Sequence, residues 1–292
     1  MREVQIAAES WSLHRPFVIS RLTQTAAQVV TVTLREGEHQ GQGECERADA
    51  LEFDAPAVLA TLQAVRSQLA TVNRAGLAGL LPAGNARNAV DCALWELEAR
   101  QRGVACHELA GLAAPAPLTT AWTIGLDSPT AMAAMAARCG HLPLLKLKLG
   151  GEGDVARVAA VREAAPGARL IADANQAWTP ALTAAYLPAL AALGVELLEQ
   201  PLPVGKDACL ADLPHPLLIC ADESVTDRAS LASLQGRYDA INIKLDKAGG
   251  LTEALALSAA AQAAGLQLMV GCNIGTSLAM APALLLAQRA RF

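Results

Sequence analysis

"LLKLKLGGEGDVARVAAVREAAPGARLIADAN", residues 144–175, holds a short apolar run, an alanine-rich helical stretch and a second apolar run. Two apolar runs joined by one helix make a strand–helix–strand unit, and such units build parallel sheets. Alternation in the first run sends Lys146 and Lys148 to one side and Leu145, Leu147 and Leu149 to the other. Two ammonium groups on a strand that otherwise reads as buried need a reason other than packing.

The same pattern spreads outward through the C-terminal part of the chain. Its apolar runs are "LTTAWTIGL", "LPLLKLKLG", "ARLIADANQ", "VELLEQPLP", "PLLICADES", "DAINIKLDK" and "LQLMVGCNI". Helical stretches such as "DVARVAAVREAAP", "TPALTAAYLPALAALG", "DRASLASLQGR" and "LTEALALSAAAQAAG" lie between them. No GxGxxG follows the first run, which weighs against a dinucleotide-binding sheet. The expected fold is α/β, a TIM-type (β/α)7β barrel over residues 116–292, with its active site at the strands' C-terminal ends. Residues 1–115 read as a separate α+β domain. Strands "VQIAAESWSL" and "AAQVVTVTLRE" flank a loop containing "RPFVISRLTQT", "HQGQGECE" continues the sheet, and helices are expected over Ala55–Leu69 and Asn85–Gln101, the latter stopped by Gly103. The proline-rich "GLAAPAPL" at 111–118 marks the joint.

Composition bounds the function. The chain has 292 residues, 53% hydrophobic and 17% charged, which suits a large packed core. A net charge of -5 with no basic run gives no footing for nucleic acid. The N-terminus lacks a signal-type apolar stretch, and no uninterrupted apolar segment is long enough to span a membrane. Seven scattered cysteines without a CxxC pair suit free thiols in a reducing cytoplasm. A cytoplasmic homo-oligomer acting on a small molecule is expected.

Five consecutive runs end in polar groups: Lys146 and Lys148, then Asp173 and Asn175, Glu199, Asp222 and Glu223, and Lys244. Barrel geometry brings these ends to one rim, where Asp173, Glu199 and Asp222 would repel one another without a cation among them. Three hard oxygen donors with no His or Cys nearby favour Mg²⁺ over zinc. The bland alternative is a ring of ion pairs between the three carboxylates and the three lysines. A lysine beside a dication is pushed toward its neutral form and can act as a base. Lys148 and Lys244, facing each other across the metal, could remove a proton from one face of a carbon and return one to the other. Such chemistry is racemisation or epimerisation, with the dication stabilising charge on the substrate carboxylate. Lys146 would add positive charge beside the same carboxylate.

In their order, "KLK", "DAN", "EQP", "ADES", "NIKLDKAGG" and "VGCNIGTS" resemble the muconate-lactonizing branch of the enolase superfamily. Within it the resemblance is to dipeptide epimerases of the L-Ala-D/L-Glu type and to N-acyl amino-acid racemases, and it runs over nearly the whole chain. A Lys or His base with Mg²⁺ is a known property of that superfamily. The resemblance implies Asp173, Glu199 and Asp222 as metal ligands, Lys148 and Lys244 as acid/base lysines and Lys146 as the auxiliary lysine. Lys244 is preferred over Lys247, which is expected in the following loop. The resemblance further implies that the N-terminal domain caps the barrel mouth through loops near 15–25 and 45–55. Arg21 could there grip a substrate carboxylate; Thr123, Asn175, Cys272 and Asn273 are further substrate-binding candidates.

Two departures stand out. Asn273 and Gly275 stand where the family often has Met and Glu, so Gly275 is expected to leave room and no charge. The family's eighth strand, with an Asp-x-Asp pair for a dipeptide's ammonium, would follow Arg291, one strand beyond this sequence; since proteins avoid open parallel edges, either the sequence is cut before its native end or something else fills the gap. If the acidic pair is truly absent, an N-acylated amino acid becomes the better candidate substrate. o-Succinylbenzoate synthase or cycloisomerase chemistry would use the same site, a Schiff-base aldolase would use one lysine without metal, and a non-catalytic binding barrel is the remaining reading.

Overall fold

The computed structural model describes residues 2–19, 22–46 and 54–292. Three antiparallel strands open the chain: β1 (Glu3–Ile19), β2 (Leu22–Glu36) and β3 (His39–Glu46), in the order β1-β2-β3. The loop expected around "RPFVISRLTQT" is largely strand. Phe17 pairs with Gln24 and Val18 with Thr23, after a register shift between Ser12 and Phe17. Pro16, which has no N–H to give, sits inside that shift.

Five helices follow: α1 (Ala55–Ala64), α2 (Arg66–Leu69), α3 (Arg74–Leu80), α4 (Asn85–Arg102) and α5 (Cys106–Leu109). Helix α4 carries the packing. Val90, Leu94 and Leu97 bury against Val30, Val32 and Leu34 of β2. Gly41 and Gly43 let β3 approach it, since a Cβ there would meet Ala93 O at 2.1 Å and Ala89 O at 2.0 Å. The expected stop is real: Gly103 ends α4 with φ 65, in the left-handed region glycine tolerates.

The rest alternates as β4 (Trp122–Ile124), α6 (Pro129–Cys139), β5 (Leu144–Lys148), α7 (Asp154–Ala164), β6 (Arg169–Asp173), α8 (Pro180–Ala192), β7 (Val195–Glu199), β8 (Leu218–Ala221), β9 (Ala240–Ile243), α9 (Leu245–Ala248), α10 (Leu251–Ala263), β10 (Gln267–Val270) and α11 (Ser277–Ala287). All seven strands are parallel and lie in sequence order, each beside the next. "DRASLASLQGR" is a 3-10 turn over Arg228–Ser233 and not an α-helix. Asp227 accepts the Ala229 and Ser230 N–H groups, and the Ser230 and Ser233 hydroxyls donate to nearby carbonyls, all competing with α-helical bonding.

The sheet curls. One residue from each of β5 to β10 (Leu144, Ile171, Leu197, Cys220, Ala240 and Met269) meets in one interior cluster, a layer no flat sheet could form. Across the seam between β4 and β10, Thr123 and Lys146 line a cavity of about 390 Å³ together with Met269, Cys272 and Phe292. Part of the β10 edge is filled by the last residues of the sequence. Arg291 N–H donates to Leu268 O (2.9 Å) and Val270 N–H to Phe292 O (3.1 Å), and the Arg169 guanidinium lies 5.5 Å from the Phe292 ring. Among the described residues, no helix is long and apolar enough to cross a membrane.

Candidate active site

The strand pairing brings the expected residues together. Lys148 is opposite Asp173, and Asp173 opposite Glu199, while Asp222 lies just beyond β8. All three carboxylates are buried. Lys146 Nζ lies 2.9 Å from Asp173 Oδ2 and 2.5 Å from Glu199 Oε2. Lys148 Nζ donates to Asp173 Oδ2 (2.7 Å) and Asn175 Oδ1 (2.8 Å), and lies 5.9 Å from the Phe17 ring of the N-terminal sheet. Lys244, just after β9, donates to Asp222 Oδ2 at 2.8 Å. Lys148 and Lys244 thus flank the carboxylate row from its two ends.

The electrostatics follow from these contacts. Burial pulls the Lys146 ammonium toward neutrality, but Asp173 and Glu199 outweigh it and hold the group charged well above the usual lysine range. Burial would raise Asp173, yet Lys146 and Lys148 bring it down to about 2. Burial likewise acts on Asp222, and Lys244 and Lys247 overcome it, leaving the carboxyl far below its ordinary value. Glu199 goes the other way, raised by burial and by Asp173. Glu223 is pushed up to about 7 by burial and Asp222.

As the side chains stand, no three His, Cys, Asp or Glu groups among the described residues are gathered closely enough to hold an ion. Lys146 explains this, because its ammonium bridges Asp173 and Glu199 and its charge also reaches Asp222. The ring of ion pairs is therefore present, centred on Lys146. The donor chemistry still fits a hard dication: three buried carboxylates come from the ends of adjacent strands.

Two expectations are corrected here. Lys247 does not lie in a loop. It is buried in α9 and donates to Asp222 Oδ1 (2.5 Å), to the Asp222 carbonyl and to Asn242 O (3.1 Å). The room above Gly275 is filled by carboxyl groups from the N-terminal sheet. A Cβ there would meet Glu46 Oε2 at 2.4 Å and Glu44 Oε1 at 2.8 Å. Glu46 Oε1 accepts the Asn273 N–H (3.0 Å), and Glu44 accepts the Thr276 N–H (2.8 Å) and hydroxyl (2.5 Å).

Of the remaining candidates, Thr123 pairs with Lys146 across β4 and β5. Cys272 lies just past β10, exposed, and lines the cavity it shares with Thr123 and Lys146. Arg21 falls outside the described residues. Asn242 was missed: it is buried on β9 and donates to Glu199 Oε1 at 2.7 Å. Its signal was present in "INIK", an amide two residues before Lys244 on the same strand face.

An α/β barrel bearing a rim of carboxylates and lysines, beneath a three-stranded sheet with helices, defines a class of barrel protein with a separate N-terminal domain. Residues 1–111 match the mandelate racemase / muconate lactonizing enzyme N-terminal domain, and residues 130–291 match the enolase C-terminal domain-like family. The chain belongs to the mandelate racemase/muconate lactonizing enzyme family. It is 45% identical to the L-Ala-D/L-Glu epimerase of Escherichia coli K12 over 295 residues, covering 100% of this chain and 92% of that one. The N-acetyl-D-glutamate racemase of a Pseudoalteromonas species is 44% identical over 218 residues, 74% of this chain and 68% of the relative. Among solved structures, an enolase family member from Agrobacterium tumefaciens with homology to dipeptide epimerases, holding sodium and L-Ala-L-Glu, superposes with a TM-score of 0.96 at 49% identity. That match covers 100% of this chain and 90% of the other. The dipeptide epimerase from Enterococcus faecalis, complexed with Mg and L-Leu-L-Tyr, gives 0.91 at 30% identity over 99% and 87%.

Proposed function

We propose that this chain is a Mg²⁺-dependent isomerase, a dipeptide epimerase that moves a proton at the α-carbon of one amino-acid residue. The observation that carries the reading is the placement of Lys148 and Lys244 at the two ends of the buried carboxylate row, on Asp173 and Asp222. Asp173, Glu199 and Asp222 would hold Mg²⁺, which when bound supplies positive charge to a substrate carboxylate that gains electron density. One lysine amine accepts the α-proton, and the opposite ammonium delivers its own to the other face, so the carbon inverts and the pair exchanges roles for the reverse reaction. Lys146, held charged, is suited to pairing with the carboxylate and unsuited to being the base. Residues 1–115 act as the cap, with Arg21 as the carboxylate grip and Thr123, Asn175, Cys272 and Asn273 around the substrate. A cytoplasmic homo-oligomer completes the proposal.

An N-acyl amino-acid substrate is the second reading, favoured by the similarity to the N-acetyl-D-glutamate racemase. The test is α-proton exchange in deuterated water, followed by NMR, on L-Ala-L-Glu, L-Ala-D-Glu and both N-acetylglutamate enantiomers. Wild type should exchange and invert a dipeptide, and EDTA should abolish this. Lys148→Ala and Lys244→Ala should each lose exchange from a different epimer. Exchange from both epimers in either variant overturns the two-base assignment, and activity surviving EDTA overturns the metal.

A further inference from the structure

Gln200, the residue after Glu199, is fully buried and sits with φ 35, a backbone conformation non-glycine residues rarely adopt. Its side chain reaches across to the next strand end. Oε1 accepts both the Asp222 N–H (2.9 Å) and the Ser224 N–H (3.1 Å). Nε2 faces Leu202 O (2.8 Å), Ser224 Oγ (2.9 Å) and the Tyr238 hydroxyl (3.1 Å). Ser224 Oγ and Tyr238 OH in turn donate to Asp207 Oδ2, at 2.8 and 2.7 Å. Asp207 is itself buried and takes Arg237 Nη1 on its other oxygen at 3.3 Å. This amide therefore has both ends committed, one to the backbone carrying Asp222 and the other to a network anchored at Asp207.

We propose that Gln200 is a positioning residue for the metal site, fixing the backbone of Asp222 so that its carboxylate is aimed into the rim. The argument is one of leverage. Lys247 already occupies Asp222 Oδ1 and the Asp222 carbonyl from behind, which leaves Oδ2 as the oxygen on the Lys244 side. Where Oδ2 points is set by the main chain at 222, and the N–H of that residue is held by a side chain from the neighbouring strand end. A buried, fully bonded amide holds such a position more rigidly than a solvated loop would. The strained φ at residue 200 is the local cost of turning the side chain toward β8.

This inference rests on the proposed Mg²⁺ site, and calorimetric titration with Mg²⁺ separates the two. Wild type that takes up no Mg²⁺ removes the functional reading itself. If wild type binds, Gln200→Met, which keeps the bulk but offers no acceptor to the two N–H groups, should weaken Mg²⁺ affinity at least tenfold. Tyr238→Phe, which removes one partner of Nε2 but leaves both N–H bonds to Oε1, should stay within about threefold of wild type. Folding is checked by circular dichroism and thermal midpoint. A folded Gln200→Met with wild-type Mg²⁺ affinity overturns the proposal. Should Gln200→Met not fold, Gln200→Asn, whose shorter amide cannot reach the two N–H groups, takes its place, and a folded Gln200→Asn with wild-type Mg²⁺ affinity overturns the proposal.

Discussion

At the scale of single residues, Glu46 is the most consequential correction. Burial and then Asp246 push its carboxyl up to about 9 from an ordinary value of 4.5. A carboxyl whose folded value is raised binds its proton more tightly when folded, so its effect is harmless below 4.5 and erodes stability as pH climbs toward 9. Glu46→Gln should flatten the fall in stability across that window and leave the protein more stable than wild type at pH 8.5, measured by urea unfolding at several pH values. Equal slopes for the two proteins would dismiss Glu46 as the origin. Sequence alone could not reveal this group, because Glu46 and Gly275 meet only through the packing of the N-terminal sheet on the loop after β10. Lys247 hid for a similar reason. The first lysine of "KLDK" is at a strand end, but only the short helix α9 shows that the second turns back beneath Asp222. Lys146, Lys148, Asp173, Glu199, Asp222 and Lys244 were legible because each closes an apolar run, where strand order alone brings them to one rim.

Among the elements, the turn from β5 into α7 is held by one side chain. Asp154, the first residue of α7 and fully buried, accepts the Gly150 N–H (3.0 Å), the Gly151 N–H (2.7 Å) and Trp178 Nε1 (2.7 Å), and pairs with Arg157 at 2.9 Å. Removing it leaves buried donors without acceptors, each costing about 1–3 kcal/mol. Asp154→Ala should lower unfolding stability by about 3 kcal/mol or more, seen as a reduced urea midpoint with an unchanged slope. The seven strands were readable as apolar runs of strand length separated by helical ones. The 3-10 turn at Arg228–Ser233 was not, because its serines and Asp227 divert backbone groups that apolar periodicity ignores. The β1–β2 hairpin was misjudged because Pro16 suggests a loop, whereas a register shift absorbs it.

Over the whole molecule, the two halves are joined by polar contacts that bypass the chain connecting them. Arg87 on α4 donates to Ala248 O (2.7 Å) and Gly249 O (3.0 Å). Asp91 accepts the Thr252 N–H and hydroxyl at 2.9 and 2.6 Å, and Trp95 Nε1 donates to that same hydroxyl oxygen at 2.9 Å. Asn88 and the Glu46 N–H both donate to Asp246, at 3.0 and 3.2 Å. The segment 112–119, by contrast, is almost wholly exposed and irregular, touching the barrel through Gln288 at Ala116. It is a tether and not a hinge. A protease that nicks it should yield two fragments that still elute as one particle and still exchange the substrate's α-proton, whereas fragments that drift apart on gel filtration would mean the clasp is weaker than its bonds suggest.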